Sequence, residues 1–526
     1  MLLHDRFLEN AARQPEKTAL KAGKAIYSYA GFAEAADRLA RALICHGVQR
    51  GDRVLLYMDN SAETCIAIFA VLLAGGVFVC LNPSTKYEKL IYVLNDCGAR
   101  VLITQAARRL DLAQVRSDAK ALQAVFLDQP DAGEGSTAHL AELLVRPAMK
   151  ATLPRIIDID LAALIYTSGS TGNPKGVMMT HLNMHSAVTS ITTYLQNTAE
   201  DIVLCALPLS FDYGLYQLLM VLSFGGTLIL EKDFVYPNLI IQRLLEEKVT
   251  GFPGVPTLFA LLLNAKVLEK YRFPHLRYIS NTAAALPTTL ISRLREALPA
   301  VTLFSMYGLT ECKRVAYLPP EELDRRPNSV GKAMPNCETY IVDENGRPVK
   351  PGQPGELVVR GANVMQGYWN LPEETSRALR PGLHPYERML YSGDIFRQDE
   401  EGFLYFIGRK DDIIKCRGEK VSPREVENVL YQFEGVAEAA VLGRPDPVLG
   451  EAIVAVVKLS DRRPVEASEI ARHCAGRLES FCVPQEILFI EEMPKSGNGK
   501  IDKKRIAELL AAGTLSANQH ARPPSD

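Results

Sequence analysis

Hydrophobic and polar positions alternate between two periods over residues 1–150. Tyr29–Gly47 and Ala62–Leu73 space their apolar residues as helices do, while Val54–Met58, Val77–Leu81, Val101–Thr104 and Ala124–Leu127 are short apolar runs. The pattern predicts helices set between buried strands. Such an order predicts parallel pairing with helices on the sheet faces. A related unit recurs further on. Phe69-Ala-Val-Leu-Leu-Ala-Gly-Gly-Val-Phe-Val and Leu219-Met-Val-Leu-Ser-Phe-Gly-Gly-Thr-Leu-Ile both read as helix, Gly-Gly turn, strand. The repetition predicts two related α/β subdomains.

The texture changes after Ser329. Glycines, prolines and short alternating strands such as Gly355-Glu-Leu-Val-Val-Arg-Gly361 predict a β-rich subdomain. A boundary is expected at Gly408-Arg-Lys-Asp-Asp412, which separates a large unit, 1–408, from a compact α+β unit, 413–510. The first helix of the small unit is well marked. Ser422 is the expected N-cap, Pro423 the first helical residue and Glu425 the partner in a capping box. Val426, Val429, Leu430 and Phe433 share its apolar face. The tail 511–526 is small, polar and proline-containing, which predicts disorder.

Bulk properties narrow the function. The chain has 526 residues, 47% hydrophobic and 23% charged, with a net charge of −2 from 59 basic and 61 acidic residues. So even a balance speaks against nucleic acid or an anionic membrane as partner. The ten cysteines form no C-x-x-C pair, which suits reduced thiols in a cytoplasmic protein. Met1-Leu-Leu-His-Asp-Arg6 lacks the layout of a signal peptide. The uncharged stretch from Cys65 to Asn82 is broken by Gly75-Gly76, so neither half predicts a membrane span.

The densest chemistry lies in Tyr166-Thr-Ser-Gly-Ser-Thr-Gly-Asn-Pro-Lys-Gly176. Gly169, Gly172 and Gly176 permit sharp turns, Thr167, Ser168, Ser170 and Thr171 offer hydroxyls, and Lys175 offers a positive charge. Successive N–H groups in such a loop form an anion-binding concavity. The apolar run Leu161–Ile165 predicts a strand in front of it, with the loop hanging from a sheet edge. The spacing is not that of a Walker loop, because Pro174 precedes Lys175 and Gly176 follows it. A flexible linker would require neither the strand nor Pro174-Lys175.

Four more clusters carry polar chemistry. Tyr307-Gly-Leu-Thr-Glu311 follows the apolar run Val301–Phe304 and offers a ring for a base, Thr310 for a phosphate and Glu311 for Mg²⁺. Tyr391-Ser-Gly-Asp394 places a carboxylate after a tight turn, suited to ribose hydroxyls or simply to the turn itself. Gly408-Arg-Lys-Asp-Asp-Ile-Ile-Lys-Cys-Arg-Gly418 reads either as a phosphate or ribose contact through Arg409 or as a solvated linker. Pro494-Lys-Ser-Gly-Asn-Gly-Lys500 reads as an exposed basic turn or as a loop that carries Lys500 into a cleft. His181 and the other histidines form no metal-like cluster, and His181 is expected to pack or to cap a helix.

In order and spacing these five motifs resemble the AMP-forming adenylating enzymes, which include acyl-CoA synthetases, stand-alone adenylation domains and firefly luciferase. The resemblance covers about residues 5–505 and is very specific, since five ordered motifs seldom coincide. Met306–Pro319 and Arg325–Pro335 look most like short acyl-CoA ligases of exported-polymer gene sets and carrier-protein loaders. The resemblance implies that ATP and an acid form acyl-AMP, and that a thiol of CoA or of carrier-protein phosphopantetheine then takes the acyl group. It implies that Thr167, Ser168, Gly169, Ser170, Thr171, Gly172 and Lys175 hold phosphates, and that Tyr307, Asp394 and Arg409 hold adenine and ribose. Glu311, with Thr310 and Thr167, would position Mg²⁺ and phosphate, and Lys500 would bridge the acid and the phosphate. Residues 409–412 would form a hinge centred on Asp411 for a mobile small domain, and Gly418 would line the thiol tunnel.

By the same resemblance the acyl pocket lies around Phe211, Asp212, Gly214, Asn281, Ala283, Tyr307 and Gly308. Phe211-Asp212 is similar to the Phe-Asp of amino-acid adenylation domains, where the aspartate binds the substrate amine. That leaves Asp212 either as an amine ligand for a small amino acid or as a helix N-cap. Asn281-Thr-Ala-Ala-Ala285 departs from the glycine-rich turn common in the family, and its methyls argue against long-chain acids. Two other classes, a luciferase-type oxygenase and an inactive binding module, find no supporting residue.

Overall fold

The structure, a computed structural model, describes residues 1–129, 138–167, 173–282, 286–410, 412–416, 419–446, 449–460, 465–496 and 500–515. Three residue groups expected at functional positions lie outside that set. They are Ser168, Gly169, Ser170, Thr171 and Gly172 of the glycine-serine loop, Ala283 of the acyl pocket, and Asp411 and Gly418 near the domain junction.

The helix Ala62–Leu73 buries every residue except Glu63, as an all-round apolar helix must. Ser61 starts it by accepting a hydrogen bond from the Thr64 N–H at 3.2 Å. The strand Val77–Cys80 follows and pairs in parallel with Arg53–Tyr57, which pairs in turn with Val101–Thr104. The second copy of the unit is the helix Asp212–Phe224 and the strand Thr227–Leu230, which pairs in parallel with Ile202–Cys205 and Thr18–Ala22. Each copy belongs to its own mixed sheet, of eight and nine strands among the described residues. One continuous core joins both sheets and their helices. Gly75 and Gly225 turn each helix into its strand in the left-handed region, at φ 73° and 85°.

Residues 337–409 form an antiparallel five-stranded sheet with Gly355–Gly361 and Arg388–Gln398 at its centre. The small unit has its own five-stranded sheet, flanked by the helices Pro423–Leu430, Ala467–Ala475 and Lys503–Ala511. Its apolar residues pack into clusters separate from the large core.

Two local expectations need correction. The strand Leu161–Thr167 is interior, bonded to Val77–Cys80 on one side and antiparallel to Lys175–Thr180 on the other. The segment before the glycine-serine run is therefore interior to the sheet and does not lie at its edge. At the helix Pro423–Leu430, Ser422 accepts from the Glu425 N–H at 3.3 Å, but its hydroxyl donates to the Ile407 carbonyl of the large unit. The reciprocal half of the capping box is not formed. The cap side chain instead ties the two units together.

Gly75 gives a direct test of the turn geometry. A Cβ there would meet Pro154 Cγ at 2.8 Å and would sit at positive φ. Gly75→Ala is expected to lower stability by about 1–3 kcal/mol, read as a lower urea midpoint. An unchanged midpoint would mean that the turn relaxes freely.

Candidate functional site

The hairpin register sets Thr167 opposite Lys175, so both ends of the glycine-serine connection are held by strand pairing. The edge strand Gly367–Tyr368 pairs with Val177 and Met178 and brings two further residues to Lys175. The Lys175 ammonium donates to Glu374 Oε2 at 2.6 Å and stands 5.6 Å from the Tyr368 ring centroid. The Tyr368 hydroxyl donates to Glu311 Oε1 at 2.8 Å. The hydrogen bond from Lys175 holds the Glu374 carboxyl below its usual range. Burial, and then Glu311, pushes the Tyr368 phenol up. Lys175, Tyr368 and Glu311 thus line one polar face beside the turn that carries Thr310.

That face fits a magnesium ion held chiefly by phosphate. Among the described residues no three His, Cys, Asp or Glu side chains cluster as a metal cage. Mg²⁺ commonly binds through one or two carboxylates plus substrate phosphates. Glu311 supplies one such carboxylate.

Tyr307 ends the strand Thr302–Tyr307, and its hydroxyl donates to Asp394 Oδ2. Its ring packs edge-on against Phe396 at 4.9 Å. Asp394 and Arg409 face each other across the antiparallel pair of Arg388–Gln398 and Leu404–Arg409. Arg409 Nε lies 3.4 Å from Asp394 Oδ1, yet that oxygen accepts no hydrogen bond. The two observations agree, because 3.4 Å is an ion-pair distance without hydrogen-bond alignment. Burial pushes the Asp394 carboxyl up, and Arg409 opposes the shift. A buried carboxylate oxygen without a donor is an opening for a hydroxyl ligand.

A cleft of about 1190 Å³ runs between the two units, lined by Val255, Phe406 and Arg409 on one side and Arg424, Glu427 and Lys500 on the other. Lys500 crosses it and stands 5.5 Å from the Phe211 ring centroid. Burial pulls its ammonium below the ordinary lysine range, and Asp212 opposes this.

Asp212 is not the N-cap. Phe211 occupies that position and Asp212 is the first helical residue. Its carboxylate pairs with Lys313 Nζ at 3.4 Å. Lys313 is 3% exposed, lies 4.5 Å from the Tyr216 ring centroid and adopts φ 63°, a strained conformation for a lysine. Its neighbour Arg314 is 1% exposed and stands 5.3 Å from the Tyr213 ring centroid. Gly308 lets this loop fold back, since a Cβ there would meet the Lys313 carbonyl oxygen at 2.1 Å. Gly214 lets its helix approach the chain before it, because a Cβ would meet the Pro208 carbonyl oxygen at 2.3 Å. Asn281 is buried on the strand Tyr278–Asn281. His181 lies apart from the site. It is buried, its Nδ1 accepts from the Leu3 N–H at 3.2 Å, and burial brings it down to about 4.

Tyr368, Glu374, Lys313 and Arg314 were not among the residues expected from the sequence. Only the last two left a signal there, as adjacent cations placed between Glu311 and an apolar strand.

The chain is similar to proteins of known family. A family model described as AMP-binding enzyme matches residues 7–369, and one described as AMP-binding enzyme C-terminal domain matches residues 425–500. A long-chain-fatty-acid–CoA ligase of Bacillus subtilis is 32% identical over 95% of this chain and 93% of its own. The crystal structure of ATP-bound MatB from Rhodopseudomonas palustris superposes with a TM-score of 0.87 at 28% identity, covering 97% of this chain and 99% of that one. The o-succinylbenzoate coenzyme A synthetase MenE of Bacillus subtilis, in complex with ATP and magnesium, gives 0.83 at 28% identity, over 96% and 99%.

Lys313 predicts a pH signature. Burial lowers its ammonium from 10.5 to about 7, against the pull of Asp212. Between those values the unfolded chain binds a proton that the folded chain lacks, so this group makes stability rise with pH. The stability of the wild type relative to Lys313→Met is therefore expected to increase from pH 7 to pH 9 in urea denaturation. A flat difference would place the lysine in water.

Proposed function

The chain belongs to the AMP-binding enzyme family and is an ATP-dependent, AMP-forming ligase that joins a carboxylic acid to a thiol, and from that premise we propose how its residues divide the work. In the first half-reaction a carboxylate oxygen attacks the α-phosphorus of ATP, and the bond to pyrophosphate breaks as the acyl–phosphate bond forms. In the second, the thiol sulfur attacks the acyl carbon, loses its proton to solvent, and AMP departs.

The observation that carries the assignment is Lys500, which reaches from the small unit across the cleft to Phe211. The first step brings an anion to a polyanion. A cation shared between them lowers the barrier most in a closed, poorly solvated site. At about 4 Å, such a contact is worth roughly 4 kcal/mol at an effective dielectric near 20, against roughly 1 kcal/mol in water. Lys500 is the catalytic residue of adenylation. Asp394, through its free Oδ1, holds the ribose hydroxyls with Arg409 beside it. Tyr307 borders the adenine. Thr167, Lys175 and the Ser168–Gly172 segment cradle the outer phosphates, and Lys175 exchanges Glu374 for phosphate when ATP arrives. Glu311 and Thr310 would hold Mg²⁺, which neutralises phosphate charge when bound.

Residues 409–412 form the hinge on which the small domain turns, and Gly418 keeps the thiol path open after rotation. Coenzyme A as acceptor is supported by the printed activities of the CoA ligase relatives. A carrier-protein phosphopantetheine presents the same arm and is the other arm of the acceptor test. The pairing of Asp212 with Lys313 supports an acid without an α-amino group, because the Lys313 amine already occupies the place beside that carboxylate. Ten cysteines without a disulfide support a cytoplasmic setting.

Lys500→Ala is expected to slow acid-dependent ATP–pyrophosphate exchange by about 10²–10³-fold, while thiolation of added acyl-AMP keeps most of its rate. Equal damage to both half-reactions would remove Lys500 from the bridging role. Asp394→Asn is expected to raise the KM for ATP about tenfold, a loss of about 1.4 kcal/mol. An unchanged KM would place the ribose elsewhere.

A further inference from the structure

One helical turn of the acid site, Phe211 to Tyr216, faces three cations. Lys500 stands over Phe211, Arg314 over Tyr213 and Lys313 over Tyr216, with ring-centroid separations of 5.5, 5.3 and 4.5 Å. Asp212 is the carboxylate of this turn, and it pairs with Lys313. Lys500 is committed to the reacting carboxylate and the phosphate in the reading above. Arg314 is then left without an anion, although it is 1% exposed.

Its hydrogen bonding is also incomplete. Arg314 Nε and Nη1 are buried and have no acceptor, and the buried Tyr216 hydroxyl has no partner either. A guanidinium cannot shed its proton to escape the cost of burial. The Tyr194 hydroxyl is a hydrogen-bond partner of Arg314, but a buried charge without a counterion still costs several kcal/mol, and buried charges are accordingly paired. Cation–π contact with Tyr213 returns only part of that. Three orphaned polar groups on the acid side of one site are what a polar ligand would satisfy.

We propose that the enzyme activates a carboxylic acid that bears a second anionic group, in the simplest case a second carboxylate, and that Arg314 is the specificity-determining residue that receives it. The inference rests on the acid–thiol ligase reading of this site. Planar carboxylates match a guanidinium in geometry and charge, and such contacts are both strong and selective. The two ends of the acid divide accordingly. The reacting carboxylate meets Lys500 at the mouth of the cleft, and the second anion lies beyond Phe211 and Tyr213, whose rings are 6.4 Å apart. A compact diacid suits this site better than a long hydrocarbon tail, whose apolar chain would strand the guanidinium.

The test is ATP–pyrophosphate exchange with α,ω-dicarboxylic acids of graded length, each beside its mono-methyl ester of nearly the same shape. For the best diacid, kcat/KM is expected to exceed that of its half-ester by about 100-fold or more, because a buried polar group left unpaired penalises the analogue strongly. Arg314→Met is expected to collapse that ratio towards one, mainly through KM for the diacid, with ATP binding by calorimetry reporting that the variant is folded. Equal use of diacids and half-esters by the wild type overturns the inference without recourse to any variant. A ratio that survives in a folded Arg314→Met enzyme removes Arg314 from the assignment. Absence of exchange with diacids and half-esters, beside exchange with another monocarboxylic acid, overturns the inference and leaves the ligase reading standing, whereas absence of exchange with any acid brings down both.

Discussion

Positive charge has to be held out of water, where an acid anion can meet a polyphosphate. This constraint organises the molecule. Desolvation makes each such charge expensive, and the protein meets the cost in different ways at each position. Lys313 has Asp212 at 3.4 Å. Lys175 has Glu374 at 2.6 Å. Arg409 lies beside Asp394 and remains more than half exposed. Lys500 is supplied by the small unit, and burial in the cleft pulls its ammonium down.

The loop that carries Lys500 is anchored within the small unit. The Ser496 N–H donates to the Lys500 carbonyl at 2.7 Å, and the Asp502 N–H donates to the Pro494 carbonyl at 2.8 Å, so both flanks of the loop are tied together. Lys495 and Lys503 turn back to their own domain and pair with Glu438 and Glu427, at 2.6 and 2.7 Å. Of Lys495, Lys500 and Lys503, two are satisfied locally. The third is left to cross. On the other side of the cleft, Ser422 fastens the first helix of the small unit to the Ile407 carbonyl, and Lys410 pairs with Glu356 at 3.1 Å. Both of these contacts near the junction of the units are polar.

The strands and helices of the large unit were legible because their burial pattern is periodic and local. Ala62–Leu73, Val101–Thr104, Ala124–Leu127 and Gly355–Gly361 coincide with the elements read from the chain. The repeated helix, Gly-Gly, strand unit was legible for the same reason, and it maps onto two different sheets. The capping box at Ser422 was misread because its hydroxyl found a partner in another unit, Ile407. No local rule contains that contact. Asp212 was ambiguous for a related reason. A carboxylate at the start of a helix reads equally as a cap or as a ligand, and only the structure shows that Asp212 follows the cap and pairs with Lys313, far along the chain.

By itself the sequence determined the order of elements, the family and the five motifs that carry the resemblance to it, since turn chemistry and hydrophobic period act between near neighbours. Tertiary structure alone decided which charges lose their water. Lys313 and Arg314 read as an ordinary basic pair in the chain, yet they lie among Tyr213, Tyr216 and the Gly308 turn. Burial of a charge depends on every surface packed against it, and those surfaces come from segments about a hundred residues apart in sequence.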